Sequence, residues 1–410
     1  MRIVRGDASW PAPPSRPEAR VADILRTVRR GGDDAVLRYT EEFDRAELAP
    51  EQLQVDAREV EAAVGVLEPA VRRGLETALA NVKAVARAQL RDPVTIDLPE
   101  GQKVEVDEVP VERVGIYAPG GRAPYPSTVV MCATTARVAG VPQIAVCAPP
   151  GPGGRAHPAI LAACVLCGVT EVYRMGGAQA IAALAYGTES VRKVDVIVGP
   201  GNPWVTEAKR QVYGETGIDG LAGPSELLVI AGGDADPELV ALDLLAQAEH
   251  GPESRLLLIG LDEGLLDAVA AAVGRLLPQR PSVADAACGT WAAPDASAAL
   301  RAAEELAPEH LELVGREAEA LAGRVRRAGC VFVGAGAGTA FGDYVAGSNH
   351  VLPTGGAARF QSALSPATFR RRMARVSLPG EAPARLAPAG AALARAEGFP
   401  VHAESMERRA

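Results

Sequence analysis

Lysine is scarce in this chain: of 42 basic residues only four are lysine, and the 51 acidic residues outnumber the basic ones. The net charge of −9 and pI near 5.3 exclude the basic stripes that meet a polyanionic nucleic-acid backbone. Long basic runs that would serve as a membrane anchor are absent. Apolar runs are short as well. None approaches the roughly 18 residues of a membrane span, and MRIVRGDASWPAPPSRPEAR lacks the apolar segment of a secretory signal. Six cysteines are too few for a disulfide framework in 410 residues. Cys164 and Cys167 form a C-x-x-C inside the apolar helical stretch AILAACVLCGV, and no second pair completes a zinc site, so they read as buried packing. These absences point to a cytoplasmic globular protein of roughly two to four domains. Its 48% hydrophobic and 23% charged content suits that class.

What is present falls into three textures. Val21, Ile24, Leu25 and Val28 recur at helical spacing until Gly31-Gly32, and Asp33-Asp34 can start a second helix through Phe43. A longer helix from Pro69 to Leu90 carries Val71, Leu75, Leu79 and Val82, so the N-terminal quarter reads as mostly helical. After Val114, short aliphatic strands (QIAVC, TEVYRM, VDVIVG) alternate with helices, and a second alternating series follows from ELLVIAG through RLLLIG. Such alternation implies β-α-β units around parallel sheets, hence an α/β protein with two doubly wound modules. From about Ser365 the chain is proline-broken and rich in arginine and alanine, with room for short helices only, which suits a tail docked on something else.

Two parallel modules prompt a search for a dinucleotide fingerprint. GAGAGTAFG at Gly334–Gly342 follows a strand-like CVFV, but G-x-G-x-x-G would need glycine at Thr339 or Phe341. YAPGGRAPYPST, MGGAQ and GPGNPW each close a strand, where open α/β sheets bind ligands. Singly each is an ordinary turn; together they suggest a cofactor held without the usual signature.

Histidine is sparse too, and its placing is informative. His157 follows the loop GPGGRA and reads as structural. His250, His310, His350 and His402 interrupt apolar surroundings in AQAEHGP, APEHLEL, GSNHVLP and GFPVHAE. Each alone reads as a satisfied structural histidine. Four of them, beside Gln247, Glu309, Asp343 and Glu397, favour a shared site. Imidazole with carboxylate suits zinc or a similar ion, although the H-E-x-x-H of common zinc hydrolases is missing. In LLAQAEHGPES, Gln247 and His250 stand three apart on a helix, as neighbours that can share a ligand or simply form a polar stripe.

The blocks VGIYAPGGRAPYPSTVVM, GGAQAIAALAYGTESV, VDVIVGPGNPWVTEAKRQV, GIDGLAGPSELLVIA, AQAEHGPES, APEHLEL, GDYVAGSNHVLPT and AEGFPVHA make the whole chain resemble the histidinol dehydrogenase family. The resemblance implies two Rossmann-like modules related by duplication, binding NAD in a non-standard way. It implies an arm over 1–20, a first module over 21–113 with 226–364, a second over 114–225, and a tail over 365–410. In a homodimer that tail docks on the partner subunit. Position by position, Gln247, His250, Asp343 and the other subunit's His402 would hold one zinc ion. Glu309 and His310 match the catalytic acid/base pair, and Tyr117, Gln179 and Asn202 match NAD contacts. Ser225 and Glu397 match substrate contacts, joined by Gln247, His250, His310, Asp343 and His402. His350 receives no role. Glycine-rich GAGAGTAF, ahead of Asp343, departs from the family's proline-containing loop and is expected to loosen the backbone there.

The chemistry so implied takes L-histidinol through the aldehyde to L-histidine with reduction of two NAD. Glutamine, two neutral histidines and one aspartate leave a divalent ion at about +1, suited to neutral nitrogen donors of a substrate. His310 has the proton affinity for removing the alcohol proton, and Glu309 would activate water for the aldehyde step. Two other readings stay open: a paralogue oxidising another polar alcohol, and a zinc hydrolase without nicotinamide.

Overall fold

Short runs of fully buried aliphatic residues build two parallel sheets. RVGIY, QIAVCA and VIV are too short and too apolar for amphipathic helices, EVYR is too short, and all four form strands. The computed structural model describes residues 1–10, 17–120, 123–151 and 153–410. Residues 11–16 of the N-terminal arm, Gly121 and Arg122 of YAPGGRAPYPST, and Pro152 of the GPGG loop lie outside them. The chain divides into two units, residues 1–88 with 112–369, and residues 89–111 with 370–410.

The larger unit holds both parallel sheets. The five-stranded one has the spatial order Glu171–Arg174, Gln143–Ala148, Arg113–Tyr117, Val196–Val198, Gly217–Ile218. In the six-stranded one, Arg2–Arg5 and then Ala287–Ala292, Arg255–Gly260, Glu226–Ala231, His310–Val314 and Cys330–Val333 lie side by side. Leaving out the edge strand Arg2–Arg5, both sheets have the order third-second-first-fourth-fifth along the chain. Each therefore has a switch point beside its first strand, where the connections depart in opposite directions.

The helix Glu18–Asp44 bends where expected, with Gly32 at φ 52° and ψ −137° inside it. Its stripe Val21, Ile24, Leu25 and Val28 is buried in one core with the helices Gly177–Tyr186 and Pro203–Val212. Each fully buried aliphatic side chain contributes about 1.5–3 kcal/mol, which anchors this helix to the five-stranded sheet. Helix Pro69–Ala88 packs on Pro126–Ala139. All six cysteines are free, and burial pushes the thiols of Cys164 and Cys167 up, as packing residues require.

In the smaller unit, Arg370–Ser377 pairs antiparallel with Lys103–Pro110, which pairs with Val94–Asp97. The two strands before residue 111 follow the expected helix and are not among the strands the sequence suggests, although KVEVDEV alternates with a strand's period of two. The arginines of RRRMARVS face acids across the ladder: Arg372 and Arg370 reach Glu108, and Arg375 reaches Glu105 and Asp107. Ala382–Ala396 is a helix of 15 residues that runs through Pro388, longer than a proline-broken composition suggests. Ala391 and Ala394 pack on Ala403 of the helix Pro400–Glu407, and these small contacts close the hairpin. Among the described residues no helix is long and apolar enough to cross a membrane.

Candidate active site

A cavity of about 1250 Å³ in the larger unit is lined by Tyr117, Asn202, Ser225, His250, Glu309, His310 and Asp343, among others. Opposite edges of the two sheets supply these residues. Tyr117 ends the strand Arg113–Tyr117, and Asn202 follows Val196–Val198, so both stand at the carboxyl edge of the five-stranded sheet. Ser225 precedes Glu226–Ala231 and Glu309 precedes His310–Val314, at the amino edge of the six-stranded sheet. The helix Pro237–Ala248 starts on Pro237, capped by Asp236, and runs back to that same amino edge. Its end delivers Gln247 and, one turn on, His250.

Around Glu309 the hydrogen bonds form a chain. Gln247, 2% exposed, donates from Nε2 to Ser225 Oγ at 2.5 Å, and Ser225 donates to Glu309 Oε2 at 2.8 Å. The Glu226 amide N–H donates to the same carboxylate oxygen at 2.8 Å. His310, 2% exposed, donates from Nδ1 to the Glu226 carbonyl at 2.9 Å. Its Nδ1 also lies 3.5 Å from Glu309 Oε2, and its Nε2 lies 3.8 Å from Asp343 Oδ1. His250 Nε2 is 3.6 Å from Asp343 Oδ2.

Charge follows from this geometry. Burial pulls the His310 imidazole down, but the Glu309 and Asp343 carboxylates and the Glu226 carbonyl outweigh it and lift it to about 9. Hydrogen bonding to Asp343 raises His250 against the opposing effect of burial. Burial pushes the Asp343 carboxyl up, yet His250 and the neighbouring imidazoles win and hold it low. His350, half-buried between Asp343 O at 2.8 Å and Thr128 Oγ1 at 3.4 Å, is pushed down by desolvation.

The sequence placed Glu309 after Pro308, and the structure shows why the pair can act together. The helix Ala296–Leu306 ends on Ala307 in the left-handed region, φ 48°, and the strand begins only at His310. Glu309 thus lies outside the regular ladder and turns its carboxylate toward Ser225. Gly342 follows GAGAGTAF directly, in GDY. A side chain there would meet the Phe332 ring at 2.4 Å, so glycine seats the helix carrying Asp343 against the sheet. Gly199 is likewise demanded: its φ is 112° and a Cβ would stand 2.2 Å from Tyr117 O, which draws the GPGNPW loop onto the Tyr117 strand.

The remaining candidates sit as follows. Asn202 caps the helix Pro203–Val212, accepting from Trp204 N at 3.0 Å and Val205 N at 3.1 Å. The Tyr117 hydroxyl accepts from Gly177 N–H at 3.3 Å. Gln179 is fully buried, its Nε2 3.4 Å from Asp44 Oδ2 and its Oε1 without a partner. His157 caps the helix Pro158–Leu166 through Ala159 N–H. Glu397 and His402 are exposed on the smaller unit, the His402 ring tilted at 51° to that of Phe399 with centroids 5.3 Å apart. Among the described residues no three His, Cys, Asp or Glu side chains gather as a metal-ligand set. Glu226 and His350 were not assigned from sequence, because only tertiary contacts reveal what they hold.

Asp44 offers a separate test. Burial lifts its carboxyl from 3.8 to about 6. The folded chain therefore prefers it protonated, and stability falls as pH rises from about 4 through 6. Asp44→Asn is expected to melt higher than the parent at pH 8 and equally at pH 4; no pH dependence in the Tm difference would refute this.

Comparison with known proteins bears on the same residues. The sequence model of the histidinol dehydrogenase family matches residues 13–410. The chain belongs to the histidinol dehydrogenase family. It is 45% identical over 398 residues to a histidinol dehydrogenase of Parasynechococcus marenigrum, covering 96% of this chain and 91% of the relative. A Caulobacter vibrioides histidinol dehydrogenase is 45% identical over 405 residues, covering 97% and 93%. The crystal structure of histidinol dehydrogenase from Elizabethkingia anophelis superposes with a TM-score of 0.94 at 32% identity, covering 100% of this chain and 98% of that one.

Proposed function

We propose that this chain oxidises L-histidinol to L-histidine through L-histidinal, with NAD as hydride acceptor and one zinc ion per subunit, in the cytoplasm. The observation that carries the reading is the convergence of Glu309, His310, His250 and Asp343 with Tyr117 and Asn202 on one cavity. Full-length membership in the family supports the substrate.

The donor set fits zinc. His250 Nε2 and Asp343 Oδ2 at 3.6 Å match two ligands of one ion, which at about 2 Å each stand roughly 3.3 Å apart in a tetrahedron. Gln247 has its nitrogen committed to Ser225 and so offers its oxygen. The partner subunit's His402 would complete the set, consistent with only His250 and Asp343 of its histidine and carboxylate ligands meeting there among the described residues. Exposed Leu393, Phe399 and Val401, at 67%, 52% and 71%, give its hairpin the apolar face a docking tail needs. When bound, the ion supplies positive charge that fixes the substrate's nitrogen donors and brings the His310 proton affinity down toward neutral pH.

His310 donates through Nδ1 to the Glu226 carbonyl, so its neutral form carries the lone pair on Nε2. That atom takes the alcohol proton as the carbinol hydride departs to the nicotinamide. For the second oxidation the Glu309 carboxylate, held at Oε2 by Ser225 and the Glu226 amide, takes a proton from water on its other oxygen as the water adds to the aldehyde. His310, having released the first proton to solvent, then takes the proton of the hydrate as the second hydride departs to a second NAD. Tyr117, Gln179 and Asn202 are the proposed NAD contacts, and Ser225, Gln247, His250, His310 and Asp343 the substrate contacts. The partner subunit's Glu397 and the partner subunit's His402 complete the substrate site. The shared strand order of the two sheets supports their origin by duplication.

Absorbance of NADH formed from L-histidinol and NAD tests the reading. Two NADH per histidinol are expected, abolished by a chelator and restored by zinc. Unchanged histidinol with no NADH would overturn it.

A further inference from the structure

Glu226 carries a charge where the fold alone does not need one. It opens a strand whose other residues are aliphatic, is fully buried, and stands opposite Arg255 in the adjacent strand's register. Arg255, 6% exposed, donates from Nη1 to Glu226 Oε1 at 3.1 Å. A buried pair of this kind is costly to desolvate, and well-packed apolar residues often serve stability as well or better. Two further contacts explain what the carboxylate does here. Glu226 Oε2 accepts the backbone N–H of Glu309 at 3.3 Å, while the Glu226 backbone N–H donates to the Glu309 carboxylate at 2.8 Å. The two glutamates thus hold each other reciprocally, side chain to main chain in both directions. Glu226 Oε1 also accepts from Gly355 N–H at 3.1 Å, in a loop lining the cavity.

An apolar side chain at 226 would leave the Glu309 and Gly355 donors without this acceptor. Without Arg255, the Glu226 carboxylate would face Glu309 with its main counter-charge gone; burial and then Glu309 already push the Glu226 carboxyl up. We propose that the Glu226–Arg255 pair is a positioning element for Glu309, setting the place of its carboxylate beside the cavity. Glu309 precedes its strand: its carbonyl accepts from Cys330 N–H at 2.9 Å, but its own N–H is held by the Glu226 carboxylate in place of a strand carbonyl. A displacement of about 1 Å at a reacting group costs on the order of 10²-fold in rate. Resting on the water-activating role of Glu309 proposed above, the pair acts on the aldehyde step and spares the alcohol step.

The two half-reactions, histidinol to aldehyde and supplied histidinal to histidine, are measured separately in the full-length, zinc-loaded enzyme. Glu226→Gln is one variant; Glu226→Gln with Arg255→Met is a second that leaves no unpaired buried charge, and thermal melting shows that each is folded. Both are expected to slow aldehyde oxidation by about 10- to 100-fold and alcohol oxidation by less than about threefold. The same changes made in a Glu309→Gln background are expected to add no further loss, because a residue acting through Glu309 has nothing left to position. Equal slowing of both half-reactions while Glu309→Gln is selective, or losses that multiply in the Glu309→Gln background, overturns the proposal. If Glu309→Gln itself slows both steps alike, the role given to Glu309 falls, and the background comparison alone decides the positioning.

Discussion

Glu309→Gln is expected to stop the reaction at the aldehyde, yielding one NADH per histidinol in place of two. Glutamine retains an oxygen to accept from Ser225 and Glu226, so the local hydrogen bonds survive, but it cannot take a proton from water. Aldehyde oxidation should fall by about 10²–10⁴-fold, the usual contribution of a general base. His310→Gln is expected to lower both half-reactions by a similar factor, since both need the alcohol or hydrate proton removed. Stopped-flow absorbance with histidinol and with histidinal distinguishes the two variants. Full two-NADH turnover at the parent rate by Glu309→Gln would remove this carboxylate from the mechanism.

Mixing two inactive variants is expected to restore activity. His250→Asn disables the cavity side, and His402→Asn disables the tail. Each alone should lose zinc and fall by about 10²-fold or more. If the tail completes the partner's site, a mixed dimer has one site with an intact body and an intact tail. Random subunit exchange in an equal mixture should then recover about a quarter of parental activity. Zinc content per subunit should recover in parallel. A mixture that exchanges subunits, as shown by a tagged copy, yet remains inactive would place His402 in its own chain's site or outside any site.

Much of the fold could be read from residue order alone. Parallel sheets were legible because strands buried on both faces are near-continuous aliphatic runs, as in ELLVIA and RLLLIG. The helix Glu18–Asp44 was legible from its 3.6 period, and its bend from Gly31-Gly32. The strands Val94–Asp97 and Lys103–Pro110 were missed because their polar alternation has weak hydrophobic contrast and because the second partner of Lys103–Pro110, Arg370–Ser377, lies some 260 residues away. Arginine and proline in the tail likewise said nothing of the acids across the ladder or of the alanine contacts that sustain the helix through Pro388.

For the site, the division has the same cause. The sequence by itself determined which chemistry is available: sparse histidines beside carboxylates, an i, i+3 pair ending a helix, and three glycine-rich turns after strands. Those are local properties, set by side-chain type and by the period of helix and strand. Only the tertiary structure decided that Ser225, Gln247 and Glu309 form one hydrogen-bonded chain and that His310 donates through Nδ1. The tertiary structure also decided that a fully buried Glu226 holds Glu309 by its backbone. Such contacts join residues 22 to 84 apart along the chain, through strands packed side by side and a helix returning to their amino edge. Burial then gives each contact its strength, because a hydrogen bond or charge removed from water must find its partner within the fold.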